Sequence, residues 1–359
     1  MSDTTHPPTT VPGSAWDAVS TLYNAFFTGL VLCASMRSGS GRAAEFVYRI
    51  FDSQRERRFL PGLAKLGLEG LPHAVAAAQY HYLSNNIGGV AVQYMPESDR
   101  KAWIRYVPPR WAWAGTALCG VPPEVSTAML RGWHARNGLA LGNPRLGFVC
   151  TKQTADGQSA LEGYYYEYDE PLEPERRLRF ARSEEGPDFD PALAPVLASS
   201  DWPPERVAKA RRNYAMEYIR TALPVAVDLY GPAEAAALFR LCARQVGMQF
   251  RDEIARLLGT PRDDSPESFA ALAVALGEAQ DDRMSAGTDG GMTTIAQSGW
   301  KLFEEDGSVH PAVVDIWHGL AEGMLVAHNR RLALEWVERS RAVPFRFEWR
   351  LRPVGTPPF

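Results

Sequence analysis

Apolar and polar positions recur along this chain with two different periods, and the switches between them mark its elements. Residues 1–13, mostly polar and Pro-rich, are expected to form a disordered tail. Ser14 then offers an N-cap, and Trp16, Val19 and Leu22 open an apolar helical face that lasts until Ser38-Gly39-Ser40-Gly41. Helical spacing returns at 43–51 and 71–83. The stretch 88–94, led by Gly88-Gly89, fits period two and predicts a strand, with 103–107 as its hairpin partner. Pro122-Pro123 opens a further helix that closes at Asn137-Gly138. Strands at 146–151 and 161–168 flank the turn Ala155-Asp156-Gly157. Residues 169–204, rich in Pro and Glu, are expected to be a linker.

The second half begins with a helix over 203–223. A helix over 232–258 is framed by Pro232 and Gly259 and carries the stripe Leu238, Leu241, Cys242, Val246, Phe250, Ile254, Leu257. Another helix is predicted at 265–279, then a strand from Gly290-Gly291 to Gln297 with 300–303 as its partner. A helix at 311–328 and strands at 332–337 and 345–351 finish the pattern. In the last strand Phe345, Phe347, Trp349 and Leu351 alternate with Arg346, Glu348 and Arg350. These elements predict an α+β fold. It would comprise two related units, 14–168 and 205–359, each with helices packed on a small antiparallel sheet.

The halves repeat the same order of elements. Gly88-Gly89 matches Gly290-Gly291, the stretch 138–146 matches 323–332, and the aromatic run 164–168 matches 345–349. The Gly247-Met248-Gln249-Phe250-Arg251 helix, the helix running into the Asn329 strand, the alternating aromatic last strand and Gly142-Asn143-Pro144-Arg145-Leu146 carry a family resemblance. On these motifs the chain resembles the bacterial L-2-amino-thiazoline-4-carboxylic acid hydrolase-like family, over residues 205–352 and more loosely 71–168. The resemblance implies a cytosolic α+β unit and hydrolytic opening of a small C–N heterocycle.

Composition narrows the function class. The 359 residues carry 38 Lys plus Arg and 42 Asp plus Glu, a net charge of −4 with no long basic block, so no nucleic-acid partner is expected. The longest apolar stretch, 22–34, is interrupted by Asn24 and Thr28 and is too short for a membrane span; residues 1–13 do not resemble a signal peptide. Cys33, Cys119, Cys150 and Cys242 are widely spaced, which fits reduced thiols and a cytoplasmic location. No nucleotide-binding loop, HExxH or GxSxG motif occurs.

Candidate chemistry gathers first on the late helix. Asp315, His318 and Glu322 share one helical face. Opening a cyclic amidine or amide needs a base for water and an acid for the leaving nitrogen, which a carboxylate–histidine group supplies. The trio also has the composition of a divalent-metal site, although no motif demands a cofactor. The plainer reading is an exposed polar face. In the first half, His134 is an alternative acid–base group near Asn143, against the plainer reading of a surface histidine. His81 and Asn85 would line a pocket or bond locally. Cys119, ahead of a Pro-opened helix, is a candidate nucleophile. Trp103, Tyr106, Trp111 and Trp113 would roof a site for a flat ligand or form a core cluster. The expectation is an enzyme that opens, or in reverse closes, a C–N ring of a small substrate. The alternative is a non-catalytic small-molecule-binding or sensor protein. Either would be compatible with a homo-oligomer.

Overall fold

The computed structural model describes residues 13–108, 119–197 and 199–355. The predicted tail over 1–12, and Trp111 and Trp113, lie outside them. The first unit runs α1 (Gly13–Ser38), α2 (Ser40–Lys65), α3 (His73–Ile87), β1 (Val92–Ser98), β2 (Lys101–Tyr106) and α4 (Pro123–Gly132). A 3-10 turn (His134–Arg136), short α5 (Asn137–Ala140), β3 (Leu146–Lys152), β4 (Leu161–Glu167) and β5 (Leu178–Phe180) complete it. The second unit runs α6 (Pro204–Tyr230), α7 (Pro232–Leu258), α8 (Pro266–Ala279), β6 (Arg283–Asp289), β7 (Met292–Ser298), α9 (Pro311–His328), β8 (Leu332–Ser340) and β9 (Arg346–Pro353). The fold is α+β with two sheet-containing units.

The two sheets share one topology. Their strand orders are β1-β2-β4-β3-β5 and β6-β7-β9-β8; all pairs are antiparallel except the added β3–β5 pair. The segment expected as a linker is part of the first sheet. Leu172 and Leu178 are buried, and β5 pairs with β3, so two apolar anchors hold a Pro-rich, charged stretch to the sheet edge.

Three local readings are corrected. Gly290-Gly291 is the turn between β6 and β7, with φ of 57° and 82°, the paired positive values of a two-residue hairpin loop. The strand β6 before it was not predicted, because its side chains are almost all exposed and show no apolar face. Residues 300–303 form no strand. Trp300, Leu302 and Phe303 are all buried, and a chain that buries consecutive side chains plugs a core rather than alternating.

Helices α1 and α6 pack on each other and on both units: α1 lies on α6, α7, α2 and α8, and α6 on α1, α2, α7, α9 and α3. Among the described residues α1 is the one helix long and apolar enough to cross a membrane; half of its apolar window is buried against these neighbours. A single hydrophobic core therefore runs through both units, from Phe26 and Phe46 to Phe239 and Trp349. The α7–α9 crossing is especially close. Ideal Cβ atoms on Gly319 and Gly323 would lie 2.7 and 1.9 Å from the carbonyl oxygens of Arg240 and Arg244. Only glycine lets the two backbones approach so closely.

Candidate functional site

In the first unit, five buried side chains close a hydrogen-bonded ring between α3, the sheet and the α4–α5 segment. His81 Nδ1 lies 3.1 Å from the Tyr106 hydroxyl, which lies 3.3 Å from His134 Nε2. His134 Nδ1 is 2.7 Å from the Tyr165 hydroxyl. Asn137 Nδ2 closes the circuit, 2.8 Å from the Tyr165 hydroxyl and 2.9 Å from His81 Nε2. The two imidazoles stack with centroids 4.1 Å apart. Burial pushes the Tyr165 phenol well above its ordinary range, so it stays protonated. Asn85, one turn beyond His81, donates to the His81 carbonyl and accepts from Tyr214 of α6 at 2.8 Å.

Four residues considered separately in the sequence thus converge: His81, Asn85, Tyr106 and His134. His134 is a core group, 2% exposed, not the surface histidine of the plainer reading. Asn137 and Tyr165 were not among the sequence candidates. Their signal was Tyr165 in a strand of consecutive tyrosines, and an Asn beside Gly138 that reads as a helix end.

The second unit has the same frame without the ring. Gly39 and Gly231 cap α2 and α7 with nearly identical backbone, φ/ψ of 84°/159° and 78°/152°. Asn85 and Gly277 each accept the same closing backbone bond, from Val90 and Asp282. The residues between, Gly89 and Asp281, both have positive φ. The pairing of β3 with β4 shifts at Cys150/Lys152 as that of β8 with β9 does at Trp336/Glu338. Gly132 and Gly319 abut the carbonyls of Tyr48 and Arg240, which stand equally far along α2 and α7. Counted from these landmarks, His81 aligns with Ala273, Tyr106 with Gln297 and Tyr165 with Leu351; counted on from Gly132 and Gly319, His134 aligns with Ala321 and Asn137 with Met324, with the first unit broken into a 3-10 turn where α9 runs on as one helix. The landmarks also correct the predicted repeat: the partner of Gly88-Gly89 is Gln280-Asp281, and Gly163, not Tyr168, matches Trp349. The match of Asn143 with Asn329 stands, since each accepts the backbone N–H two residues on, at 3.1 and 2.8 Å.

Where the ring stands in the first unit, the second unit has a cavity of about 70 Å³. Ala273, Gln297, Ala321 and Met324 line it, with Phe269, Leu276, Met284, Ile295, Leu334 and Trp349 among the rest of its wall. Leu22 and Tyr23 of α1 cover one side. Its polar atoms belong to uncharged side chains. Trp317 Nε1 donates to the Tyr23 hydroxyl at 3.1 Å, Tyr23 donates to Gln280 Oε1, and Gln280 Nε2 donates to the Leu276 carbonyl at 3.1 Å. Gln297 Nε2 donates to Asp282 Oδ2 at 2.9 Å, just behind the wall. The Lys301 N–H donates to Asp282 Oδ1 at 2.6 Å. Burial nevertheless pushes the Asp282 carboxyl up to about 8. Among the described residues lining the cavity there is no Lys, Arg, His, Asp or Glu.

The late-helix trio does not share one opening. His318 is 1% exposed; its Nδ1 accepts from Trp336 Nε1 at 2.8 Å and lies 3.5 Å from Glu322 Oε1. Its imidazole also packs 4.2 Å from the Trp336 ring. Asp315 and Glu322 instead line a surface groove with Arg240 and Arg244, and Arg240 binds both Glu322 oxygens. His328, at the end of α9, is buried, with Nδ1 2.6 Å from Arg251 and Nε2 2.8 Å from the Ser265 carbonyl oxygen. Cys119 is exposed ahead of α4. Trp103 packs with Tyr164 on the outer face of the first sheet and donates to Glu97 at 2.6 Å. Asn143 bonds Glu167 beside an open polar hollow bordered by His73 and Arg145. No group of three or more His, Cys, Asp or Glu among the described residues is placed to hold a metal.

No family model, curated protein or solved structure matches the chain.

Proposed function

We propose that the protein binds a small, uncharged and predominantly apolar molecule in the cavity of the second unit. One observation carries this reading: Ala273 and Ala321 stand where His81 and His134 fill the first unit, so a shared frame is solid in one half and hollow in the other. Apolar walls with a few oriented polar groups are the usual composition of small-molecule sites. An engineered apolar cavity of about 150 Å³ takes up benzene. The smaller hollow here enlarges by movement of Met284 and Met324, whose unbranched thioethers repack readily. Gln280 and Gln297 offer a neutral hydrogen-bonding end, and a charged ligand would lose its hydration without a counter-charge.

Calorimetric titration with indole and 1-hexanol, against the similarly sized hexanoate and hexylammonium ions, tests this. Saturable binding of a neutral probe with a negative heat-capacity change is expected, with the ions at least about tenfold weaker. Equal affinity for ions and neutral probes, or no saturable binding of either neutral probe, contradicts the reading.

A second reading, hydrolytic opening of a C–N ring, is favoured by the His318–Glu322 approach at 3.5 Å. It requires a route from solvent to His318. Turnover of a cyclic amidine panel that is lost in Glu322→Gln would support it, and absence of turnover in the wild type would reject it.

A further inference from the structure

The contact between α1 and α7 holds a pair of thiols that neither reading uses. Gly29 lets the helices close, and a Cβ built on it would stand 3.1 Å from Cys242 Sγ. Cys33, one turn beyond Gly29, points its Sγ to within 3.7 Å of the carbonyl oxygen of Leu238, one turn before Cys242. Cys33 and Cys242 therefore face the same α1–α7 contact, about one helical turn apart. Their surroundings differ. Cys33 is 9% exposed, at the rim of the contact, whereas Cys242 is 3% exposed within it. The neighbouring Cys242 sulfur, with Arg37, draws the Cys33 thiol below its ordinary range against the opposing effect of burial. The neighbouring Cys33 sulfur together with burial pushes Cys242 well up. A sulfur at the rim of a contact beside an enclosed one is the arrangement of an attacking and a resolving cysteine.

We propose that Cys33 and Cys242 form a reversible disulfide when the protein meets a hydroperoxide, tying α1 to α7. In the first step the Cys33 thiolate attacks one peroxide oxygen. An S–O bond forms, the O–O bond breaks, and hydroxide leaves and takes up a proton. In the second step the Cys242 sulfur attacks the sulfenic acid of Cys33. The S–S bond forms as the S–O bond breaks, and the thiol proton departs with the hydroxyl as water. Overall the two thiols lose two electrons and two protons, and hydrogen peroxide is reduced to two waters. Thiol exchange with a dithiol reverses the reaction. The helix so tied, α1, carries Leu22 and Tyr23, so the cross-link would fix the helix that walls the cavity.

The test uses the full chain carrying Cys119→Ser, which removes the exposed thiol and with it cross-linking between molecules. After hydrogen peroxide, unfolding and alkylation, a peptide pair joining Cys33 to Cys242 is expected, lighter by two hydrogens and separated by dithiothreitol, while Cys150 remains alkylated. In a further Cys242→Ser variant, Cys33 should stop at sulfenic acid and be trapped by dimedone several-fold more than in the parent. Should that variant fail to fold, the parent peptide map decides alone. Recovery of both Cys33 and Cys242 as free thiols, or of Cys33 as sulfinic acid beside an alkylated Cys242, would overturn the proposal.

Discussion

Tyr106 and Gln297 stand at the same point of the two sheets. Tyr106 pairs across its sheet with Leu161, and Gln297 with Phe347, at the same step from the shared strand irregularity. Tyr106 turns its hydroxyl inward to two histidines. Gln297 turns its amide to Asp282 and leaves the space before it open. One frame therefore supports a polar core in the first unit and an apolar hollow in the second.

The ring should matter to stability and not to the cavity. Tyr165→Phe removes the hydroxyl that meets both His134 and Asn137, and buried polar groups that lose a partner cost about 1–3 kcal/mol. Urea unfolding should show a loss of this size with an unchanged slope, and indole affinity should stay within twofold of wild type. A neutral effect on stability would mean that the ring is not a cooperative unit.

The α7–α9 crossing should not tolerate a methyl group. Gly323→Ala would set a Cβ 1.9 Å from the Arg244 carbonyl oxygen, forcing two backbones apart. Overpacking of this kind costs about 1–3 kcal/mol or more. The solvent-facing Gly41→Ala, where nothing lies within reach of a new Cβ, serves as the control and should not destabilise the fold in thermal unfolding.

Asp282 should make stability fall as pH rises. Its carboxyl is raised by burial to about 8, with the Lys301 N–H and, less strongly, Arg212 opposing the rise and Asp281 and Glu304 adding to it. From about pH 4, near the ordinary aspartate value, up to about 8, the folded chain holds a proton that the unfolded chain has released. Over that window each step up in pH favours unfolding through this group. The unfolding free energy of the wild type relative to Asp282→Asn should therefore shrink between pH 5 and pH 8. A difference that is flat or grows with pH would show that Asp282 is ionised in the folded protein throughout.

Much of the fold could be read from the sequence because its strongest signals are local. Pro232, the apolar stripe and Gly259 frame α7 at its observed bounds, and the aromatic alternation of β9 was visible directly. The sequence pattern shows only residues 43–51 of helix α2, since the charged run around Arg55–Arg58 and Pro61 masks a helix that is held by Phe59 and Leu63. The repeat was recognised but misaligned at the helix–strand joint. Two glycines suggested equivalence, whereas Asp281 adopts the positive φ that Gly89 supplies in the first unit. The site was least legible. His81, Tyr106, His134, Asn137 and Tyr165 come from five separate elements, and their meeting depends on the packing of α3 and α4 over the sheet. The cavity is marked by Ala273 and Ala321, small residues that announce nothing until the histidines opposite them in the repeat are known.

The most direct test of the account is to rebuild the filled state of the first unit in the second. Ala321→Phe and the milder Ala273→Leu each place a side chain into the hollow while leaving Gln280, Gln297 and Tyr23 in position. Indole affinity, measured by calorimetry on variants whose circular dichroism matches wild type, should fall at least about tenfold, the equivalent of about 1.4 kcal/mol. Undiminished indole binding in both variants would contradict the assignment of the second-unit cavity as the ligand site.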